Sequence, residues 1–432
     1  MLECPTEQLH RQVEVHRMVE RSGTLIARGN GRSYGDAALN TDFTLSMTAM
    51  RRMQAFDAST GLLTCEAGAL LADVLETFVP RGWFVPVVPG TAFVSIGGMV
   101  AADVHGKNHH RDGSFGSYVE SLVLATAGGE MLRCSRRENT DLFLASIGGM
   151  GLTGVILSVS FRLIPVKTAF VQEETLVTRD LDETMTFFEE SQRWPYSVAW
   201  VDCTARGGRL GRALVSRSEW ADRDLLPRRF AQQPLCLPSK VSLRVPVDAP
   251  STMLNPLTIR LFNGLNYCRG RIRAGLRYVP YGPFFFPLDR INAWNRLYGR
   301  RGFVQYQCVL PRANSSSGIA RLLEQVARRQ PSLLAVLKLF GPAGEGLMSF
   351  PLEGYTLALD FPMRSDTLRF VKTLDGITHA HGGRVYLAKD ACAAPADISE
   401  GYPGAATFRA IRAESVGMRE KFASALSQRL AL

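Results

Sequence analysis

The chain has 432 residues, 46% hydrophobic and 21% charged, so it is long enough for two or three domains and too apolar for a disordered protein. Its 50 Lys and Arg against 40 Asp and Glu give a formal net charge of +10, which favours an anionic partner such as phosphate, acidic lipid or nucleic acid. The eight cysteines lie at least 32 residues apart, which excludes a CxxC motif and favours reduced thiols in a cytoplasmic protein.

The N-terminal residues alternate charged and apolar side chains, without the unbroken apolar run of a secretory signal. The most apolar stretch, 84–104, is interrupted by Pro86, Pro89 and three glycines, which argues against a transmembrane helix. Any membrane association is therefore expected to be peripheral.

The predicted elements begin with strands at 24–27, 44–47 and 62–68, followed by an amphipathic helix at 69–79. Apolar and polar residues then alternate over 155–164, which predicts a half-buried strand. From about residue 170 the pattern changes to that of a second α+β domain, with helices at 181–192 and 316–329 and a strand at 355–361.

Three glycine-rich loops lie within the first 160 residues, at 28–36, 89–98 and 148–154. Glycines allow the backbone to approach a ligand closely, and consecutive N–H groups bind phosphate. The spacing in RGNGRSYGD is neither that of a Rossmann fold nor that of a P-loop. Together the loops suit a long dinucleotide bound between two subdomains better than three unrelated turns.

Five of the seven histidines form two clusters, at 105–110 and 379–381. No carboxylate or cysteine pattern accompanies them, so we predict no metal site.

Residues 260–303 hold nine arginines and a single acid, Asp289, interleaved with aromatic residues. This segment is either a solvated basic face with ordinary core aromatics or a surface that docks on an anionic membrane. Nucleic-acid binding is disfavoured, because no recognised motif accompanies the charge.

The motifs RGNGRSYGD, EAGALLADVLETFVPRGWFVPVVPG, SIGGMVAADVHGKNHH and GGMGLTGVI resemble the FAD-binding domain of the vanillyl-alcohol-oxidase type flavoproteins. Within that superfamily, HGKNHH with GSFG, WVDC, QYQCVLP, VLKLFG and RVYLAKD resemble the polyprenyl-phosphoryl-ribose oxidases. The resemblance implies an α+β fold, in which a two-part FAD-binding domain of the PCMH type (1–168 and 384–432) holds an inserted α+β substrate domain (169–383).

The resemblance also implies which residues bind FAD. They are Ala27, Arg28, Gly29, Asn30, Gly31, Arg32, Ser33, Tyr34, Gly35, Asp36, Ala37, Gly90, Val94, Ser95, Ile96, Gly97, Gly98, Ala102, Asp103, Val104, His105, Lys107, Ile156 and Tyr386. Relatives that attach FAD covalently often have histidine where Tyr34 stands, so we expect non-covalent FAD here.

By the same resemblance, Lys389, His105 and Gln307 are expected to be catalytic. Lys338 and Phe340, with Gln307 and Lys389, are expected to line the substrate pocket. Alcohol oxidation needs a cation or hydrogen-bond donor where negative charge develops on the substrate oxygen, and these residue types supply both.

The implied reaction oxidises the ribose C2 hydroxyl of a polyprenyl-phosphoryl-β-D-ribose to the 2-keto sugar. This would be the first half of an epimerisation to the arabinose donor for cell-envelope glycans, completed by a separate NAD(P)H-dependent keto-reductase. Such a substrate suits a cytoplasmic enzyme, peripheral on the inner face of the plasma membrane. The alternative is an FAD-linked oxidase or dehydrogenase of a soluble polyol, aldonolactone or 2-hydroxy acid.

Three positions depart from the family's pattern. Thr356 replaces an asparagine, and Ala358 and Ala102 each replace a cysteine. The expected flavin site is unaffected, but one side of the substrate pocket is altered.

Overall fold

The computed structural model describes residues 4–237, 243–250, 252–414 and 421–432. Three sheets with more than two strands organise these residues: one parallel sheet of three strands and antiparallel sheets of five and eight strands. Residues 1–3 and 415–420, which belong to the two predicted parts of the FAD-binding domain, lie outside the described residues.

The first part of the chain supplies the two smaller sheets. Its elements are β1 (Thr6–Gln8), α1 (Val15–Arg21), β2 (Ile26–Arg28), β3 (Thr44–Ser46), β4 (Met53–Asp57), β5 (Leu62–Glu66), α2 (Leu71–Phe78), β6 (Trp83–Phe84), α3 (Ile96–Ala101), α4 (His109–Asp112), β7 (Val119–Ala125), β8 (Met131–Ser135), α5 (Thr140–Ser146), β9 (Val155–Arg162) and β10 (Ile164–Pro165). The strand orders are β1-β3-β2 and β4-β5-β9-β7-β8.

The rest of the chain supplies the large sheet and most of the longer helices. Its elements are β11 (Phe170–Thr178), α6 (Leu181–Glu190), β12 (Tyr196–Val201), β13 (Ala213–Trp220), α7 (Arg228–Ala231), β14 (Leu243–Arg244), α8 (Pro256–Ile272), β15 (Gly275–Pro280), α9 (Tyr281–Phe285), β16 (Ile291–Asn292), β17 (Phe303–Pro311), α10 (Ser315–Arg329), β18 (Ala335–Phe340), β19 (Gly354–Pro362), α11 (Thr367–Ala380), β20 (Arg384–Val385), α12 (Pro395–Gly401), α13 (Ala405–Glu414) and α14 (Ala425–Leu430). The large sheet has the order β15-β11-β13-β12-β18-β19-β17-β20.

The local predictions agree with these elements to within a few residues. The predicted helix at 69–79 is α2, which buries Leu71, Val74, Leu75 and Phe78 on one face. A short 3-10 turn containing Pro80 follows it and ends at Gly82, whose φ of 81° is left-handed.

The strand predicted at 155–164 is present as β9. The predicted alternation holds at its end, where Ser160 is half-buried and Arg162 is exposed, but not in its middle. Its Ser158 is only 6% exposed. The reason is position, because β9 pairs with β5 on one side and β7 on the other and α3 packs against it. A polar residue in the middle of such a central strand is therefore buried.

The C-terminal residues contact the N-terminal part of the chain. The Leu25 N–H donates to the Lys421 carbonyl at 2.8 Å, and the Ala423 N–H donates to the Leu25 carbonyl at 3.0 Å. Arg429 pairs with Asp36 at 2.7 Å. The chain therefore returns at its end to the region of the first glycine loop.

No helix of the described residues has the length and apolar character that crossing a bilayer requires.

Candidate functional site

A cavity of about 1090 Å³ lies between the glycine-rich loops and one face of the large sheet. Its wall includes the loop at 27–35, the segments around 88–98 and 101–107, and Met150 and Gly151 of the third loop. The sheet contributes residues from β11, β12, β13, β15, β17, β18 and β19. The volume slightly exceeds the usual range for a single small-molecule site, as expected of a site for a long dinucleotide and a second ligand.

The first glycine loop is fixed against both of its neighbours. The Tyr34 N–H donates to the Ala388 carbonyl at 2.8 Å, and the Asn30 side chain donates to the Phe93 carbonyl at 2.8 Å. A Cβ at Gly35, where φ is 66°, would lie 2.0 Å from the Asp390 carbonyl oxygen. Only glycine fits there, so the loop is held as a backbone surface of the kind that approaches a diphosphate.

Most residues expected at the cofactor and substrate line this cavity. Those that do are Ala27, Arg28, Gly29, Asn30, Gly31, Arg32, Ser33, Tyr34, Gly35, Ala37, Gly90, Val94, Ser95, Gly97, Gly98, Ala102, Val104, His105, Lys107, Ile156, Gln307, Lys338, Tyr386 and Lys389. The structure thus brings together all three expected catalytic residues.

Four expected residues are not part of the cavity wall, and their roles at the cofactor or the substrate stay predictions. Asp36 is paired with Arg429, and Ile96 is fully buried in the core. Phe340 packs edge-on against His105, with ring centres 4.8 Å apart. The Asp103 carboxylate faces the protein interior and is fully buried.

Asp103 is a buried acid with a structural set of partners. Its carboxylate accepts hydrogen bonds from Ser114 Oγ at 2.8 Å, Ser349 Oγ at 2.6 Å and the Gly116 N–H at 2.9 Å. Burial raises its pKa above the usual value, and these donors oppose the shift. The residue therefore joins α3 to the turn before β19 and does not face the cavity.

His105 is oriented by a chain of hydrogen bonds from the large sheet. The Thr356 hydroxyl donates to the Cys308 carbonyl at 2.8 Å, so it accepts from Gln307 Nε2 at 3.1 Å. The other Gln307 Nε2 hydrogen points to His105 Nε2 at 2.9 Å. This assigns the neutral tautomer with the proton on Nδ1. Burial, followed by the charge of Lys338, keeps the pKa of His105 well below 6.5.

Three lysines, Lys107, Lys338 and Lys389, line the same cavity. Burial lowers the pKa of Lys107 to about 8, and its ammonium donates to the Phe284 carbonyl. Burial, with the charges of Lys107 and Lys389, lowers the pKa of Lys338 to about 7. Among the described residues no carboxylate lies within ion-pair distance of any of the three lysines.

Lys389 has a different environment on its two sides. Its ammonium lies 4.1 Å from the centre of the Tyr34 ring, and burial lowers its pKa to about 8. Asp360 opposes that shift, and burial in turn raises the pKa of Asp360 to about 6. Gln305 donates to the Asp360 carboxylate at 2.5 Å.

Sequence reasoning missed Asp360, although a signal was present. Residues 356, 358 and 360 alternate along β19, so they share one face of the strand. The family resemblance already places Thr356 and Ala358 at the pocket. The two-residue period of a strand therefore predicts that Asp360 faces the same side.

The histidine clusters do not converge on a common point. His109 Nδ1 accepts from the Gly341 N–H at 3.2 Å, His110 Nε2 lies 2.9 Å from the Trp194 carbonyl, and His379 pairs with Asp397 at 3.1 Å. In the part of the chain that the structure describes, no group of three ligating side chains could hold a metal ion.

Residues 4–135 match the family model of an FAD-binding domain. The decaprenylphosphoryl-beta-D-ribose oxidase of Mycolicibacterium smegmatis is 37% identical over 424 residues, covering 97% of this chain and 92% of that protein. An uncharacterized protein of Streptomyces coelicolor is 35% identical over 84% of this chain and its own whole length. The L-gulonolactone oxidase of Bos taurus is 31% identical, but over only 36% of this chain and 35% of that protein.

The cavity fits the cofactor that the family model implies, because a glycine backbone cradle and a row of polar side chains lie along one wall. The resemblance to the flavoproteins and the expected α+β fold class are confirmed by the family match. With FAD as its cofactor, the chain is an oxidoreductase and belongs to the decaprenylphosphoryl-beta-D-ribose oxidase family.

Proposed function

We propose that the chain oxidises the ribose C2 hydroxyl of a polyprenyl-phosphoryl-β-D-ribose to the 2-keto sugar. The observation that carries this proposal is the set of three lysines in one cavity, beside the loops that suit FAD. An anionic sugar phosphate is the kind of ligand that compensates buried ammonium groups. The name of the Mycolicibacterium smegmatis relative supports the same substrate class.

Lys389 is proposed to act at the reacting oxygen. When bound, FAD supplies the two-electron acceptor for the carbon that is oxidised. The hydroxyl must give up its proton to solvent before or while the C–H bond breaks. Negative charge develops on the oxygen as that proton leaves, and an ammonium held in a dry cavity stabilises it. The cation–π contact with Tyr34 and the charge of Asp360 hold the Lys389 side chain for that role.

His105 and Gln307 are proposed to orient the sugar and the cofactor. Thr356 fixes the Gln307 amide, and Gln307 in turn fixes the ring of His105. His105 is also packed between Phe340, Phe350 and Tyr386, with ring centres 4.8, 5.5 and 5.1 Å away. A neutral imidazole held this tightly presents a fixed hydrogen-bonding edge rather than a second charge.

Lys338 is proposed to bind the phosphate of the substrate. It stands on β18, two strands away from Gln307 on β17, and shares the cavity with it. An anion next to Lys338 would offset the repulsion from Lys107 and Lys389 that contributes to its lowered pKa. Phe340 is proposed to support this pocket from behind, through His105.

We also propose how the chain is divided into domains and how it holds FAD. The contacts of Leu25 with Lys421 and Ala423 support a two-part FAD-binding domain, 1–168 with 384–432, around a substrate domain at 169–383. The eighth strand of the large sheet, Arg384–Val385, lies just beyond the second of these boundaries. Tyr34 supports non-covalent FAD, because a phenol does not form the bond that a histidine forms in covalent relatives.

A 2-keto product requires a reduction before it can serve as an arabinose donor for cell-envelope glycans. We therefore propose a separate NAD(P)H-dependent keto-reductase as the next enzyme. A lipid-linked substrate also calls for peripheral contact with the inner face of the plasma membrane.

The test is anaerobic bleaching of the flavin in the purified protein. A polyprenyl-phosphoryl ribose should bleach it, whereas L-gulonolactone and free ribose should not. Bleaching by the lactone but not by the lipid-linked sugar would refute the proposal and favour the soluble-substrate alternative, which the L-gulonolactone oxidases represent.

A further inference from the structure

Helix α8 carries an apolar stripe on its solvent-facing side. Leu257, Leu261, Leu265 and Ile272 are 76%, 63%, 58% and 85% exposed. At 3.6 residues per turn these four positions fall within an arc of roughly 80°. The residues that α8 buries lie on the opposite face: Ile259, Asn263 and Tyr267. The helix is thus anchored by one face and presents a second apolar face to the outside.

The stripe lies in a patch that stands apart from the rest of the surface. Of fourteen large hydrophobic residues exposed in the described chain, nine lie between residues 243 and 276. Scattered exposed apolar residues are ordinary, but such a concentration marks an interaction surface.

The charge around the stripe indicates what the surface contacts. By helical spacing, Arg260 and Arg271 lie along one side of the stripe and Arg269 along the other. Residues 249–288 contain no Asp or Glu. A helix with an apolar face bordered by arginines is the form that lies in the interface of an anionic bilayer. A protein partner would have to be acidic and apolar at once, which fits the pattern less well.

Most aromatic residues of the basic segment do not supply this surface. Tyr281, Phe284, Phe285, Phe286 and Tyr298 are each at most 6% exposed. They form core contacts, so for these residues the reading of ordinary core aromatics holds. The outward surface of the segment is mainly aliphatic, with Phe262 48% exposed, and most of it belongs to α8.

The cavity reaches this helix. Arg269, Gly270 and Arg273 of the helix end and Arg277 of β15 line the same cavity as Lys338. β18 and β15 are separated by four strand spacings, or about 19 Å. That distance is greater than the length of a sugar phosphate, so the cavity has room along the sheet for a prenyl chain.

We infer that α8 lies in the plane of an anionic lipid bilayer, with its apolar stripe among the acyl chains and its arginines at the lipid phosphates. The mouth of the cavity then faces the bilayer, so a lipid-linked sugar enters without crossing water. This last step depends on the proposed function, whereas the docking itself does not.

The first test is sedimentation of the FAD-loaded protein with vesicles of phosphatidylglycerol and phosphatidylcholine. Wild type should bind at low salt, and weakly to phosphatidylcholine alone. The triple variant L261S/L265S/I272S should bind roughly 100-fold more weakly, because three leucine-sized side chains no longer enter the acyl region. The control V13S/M131S changes residues that are 74% and 50% exposed elsewhere and should bind as wild type does.

A second variant, R260Q/R271Q, should lose the salt-dependent part of the binding while the stripe remains. Equal binding of wild type and L261S/L265S/I272S, or no binding of wild type at low salt, overturns the inference. So does a wild-type dimer that the triple variant converts to a monomer, because the stripe would then be covered by a second copy.

The enzymatic arm separates this inference from the proposed function. With a short-chain, water-soluble prenyl-phosphoryl ribose, the triple variant should bleach its flavin at the wild-type rate. With the long-chain substrate in vesicles, it should be slower in proportion to its lost binding. If neither protein oxidises the soluble substrate, the proposed function fails while the vesicle result still decides the docking.

Discussion

Replacing Lys389 by methionine should lower activity and raise stability at the same time. The substitution keeps most of the side-chain volume and removes the charge. Burial lowers the lysine pKa from 10.5 to about 8, which corresponds to about 3 kcal/mol against the charged form in the folded state. At neutral pH the wild type carries that cost, so K389M should unfold with a free energy higher by roughly 1 to 3 kcal/mol.

The difference in unfolding free energy between wild type and K389M should depend on pH in one direction. The unfolded chain holds the Lys389 proton up to about pH 10.5, whereas the folded chain releases it near pH 8. Because the unfolded state then binds more protons, wild-type stability rises relative to that of K389M from about pH 8 to about pH 10.5. The gap between the two proteins therefore closes as the pH rises.

The assays are urea unfolding across this pH range and anaerobic flavin bleaching by the lipid-linked sugar at equal flavin content. Bleaching should slow about 10² to 10³-fold, as expected when one electrostatic contact to the developing oxyanion is lost. The control K167M removes a lysine whose side chain is 83% exposed and should change neither quantity. A K389M protein that is less stable than wild type at pH 7, or equally active, would refute the reasoning.

Three further outcomes follow from the site. G35A should lose FAD, because its Cβ would lie 2.0 Å from the Asp390 carbonyl oxygen. The control G207A has a similar φ of 58° but no atom within 4 Å of the added Cβ, so it should keep FAD. Flavin absorbance after gel filtration measures both. Q307L should lower the free energy of unfolding by about 1 to 3 kcal/mol and slow bleaching, because His105 and Thr356 lose a shared partner; unchanged kinetics would remove Gln307 from the reaction. Acid precipitation should leave a pale pellet and a yellow supernatant, and flavin retained in the washed pellet would show a covalent bond.

The glycine loops could be predicted from sequence because their requirement is local. A backbone that turns at Gly31 and Gly35, with φ of 61° and 66°, needs glycine whatever the rest of the chain does. The helices and strands with clear periodicity were found for the same reason, since the period reports on neighbours along one element.

The site itself required distant pairings that no local pattern contains. Thr356 meets Gln307 because β17 pairs with β19, which places Thr356 across from Val309 and beside the Gln307 amide. His105, 202 residues earlier in the chain, contacts the same amide. Asp103 has contacts that its motif alone does not indicate. The resemblance placed it at the cofactor as part of a motif, but its carboxylate has three donors on the protein side.

The three lysines connect the stability of the fold with the chemistry proposed for it. A cavity lined by Lys107, Lys338 and Lys389 is unfavourable when no carboxylate is within ion-pair distance, because each ammonium loses hydration and Lys338 also experiences the other two charges. The neutral form of His105 adds no fourth charge, and Asp360 opposes the lowered pKa of Lys389. An anionic ligand would compensate both the lost hydration of the ammonium groups and their mutual repulsion. Binding energy is therefore available at the phosphate of the ligand, some distance from the carbon that reacts. That energy can hold the sugar hydroxyl against Lys389, where the ammonium is most effective once charge develops.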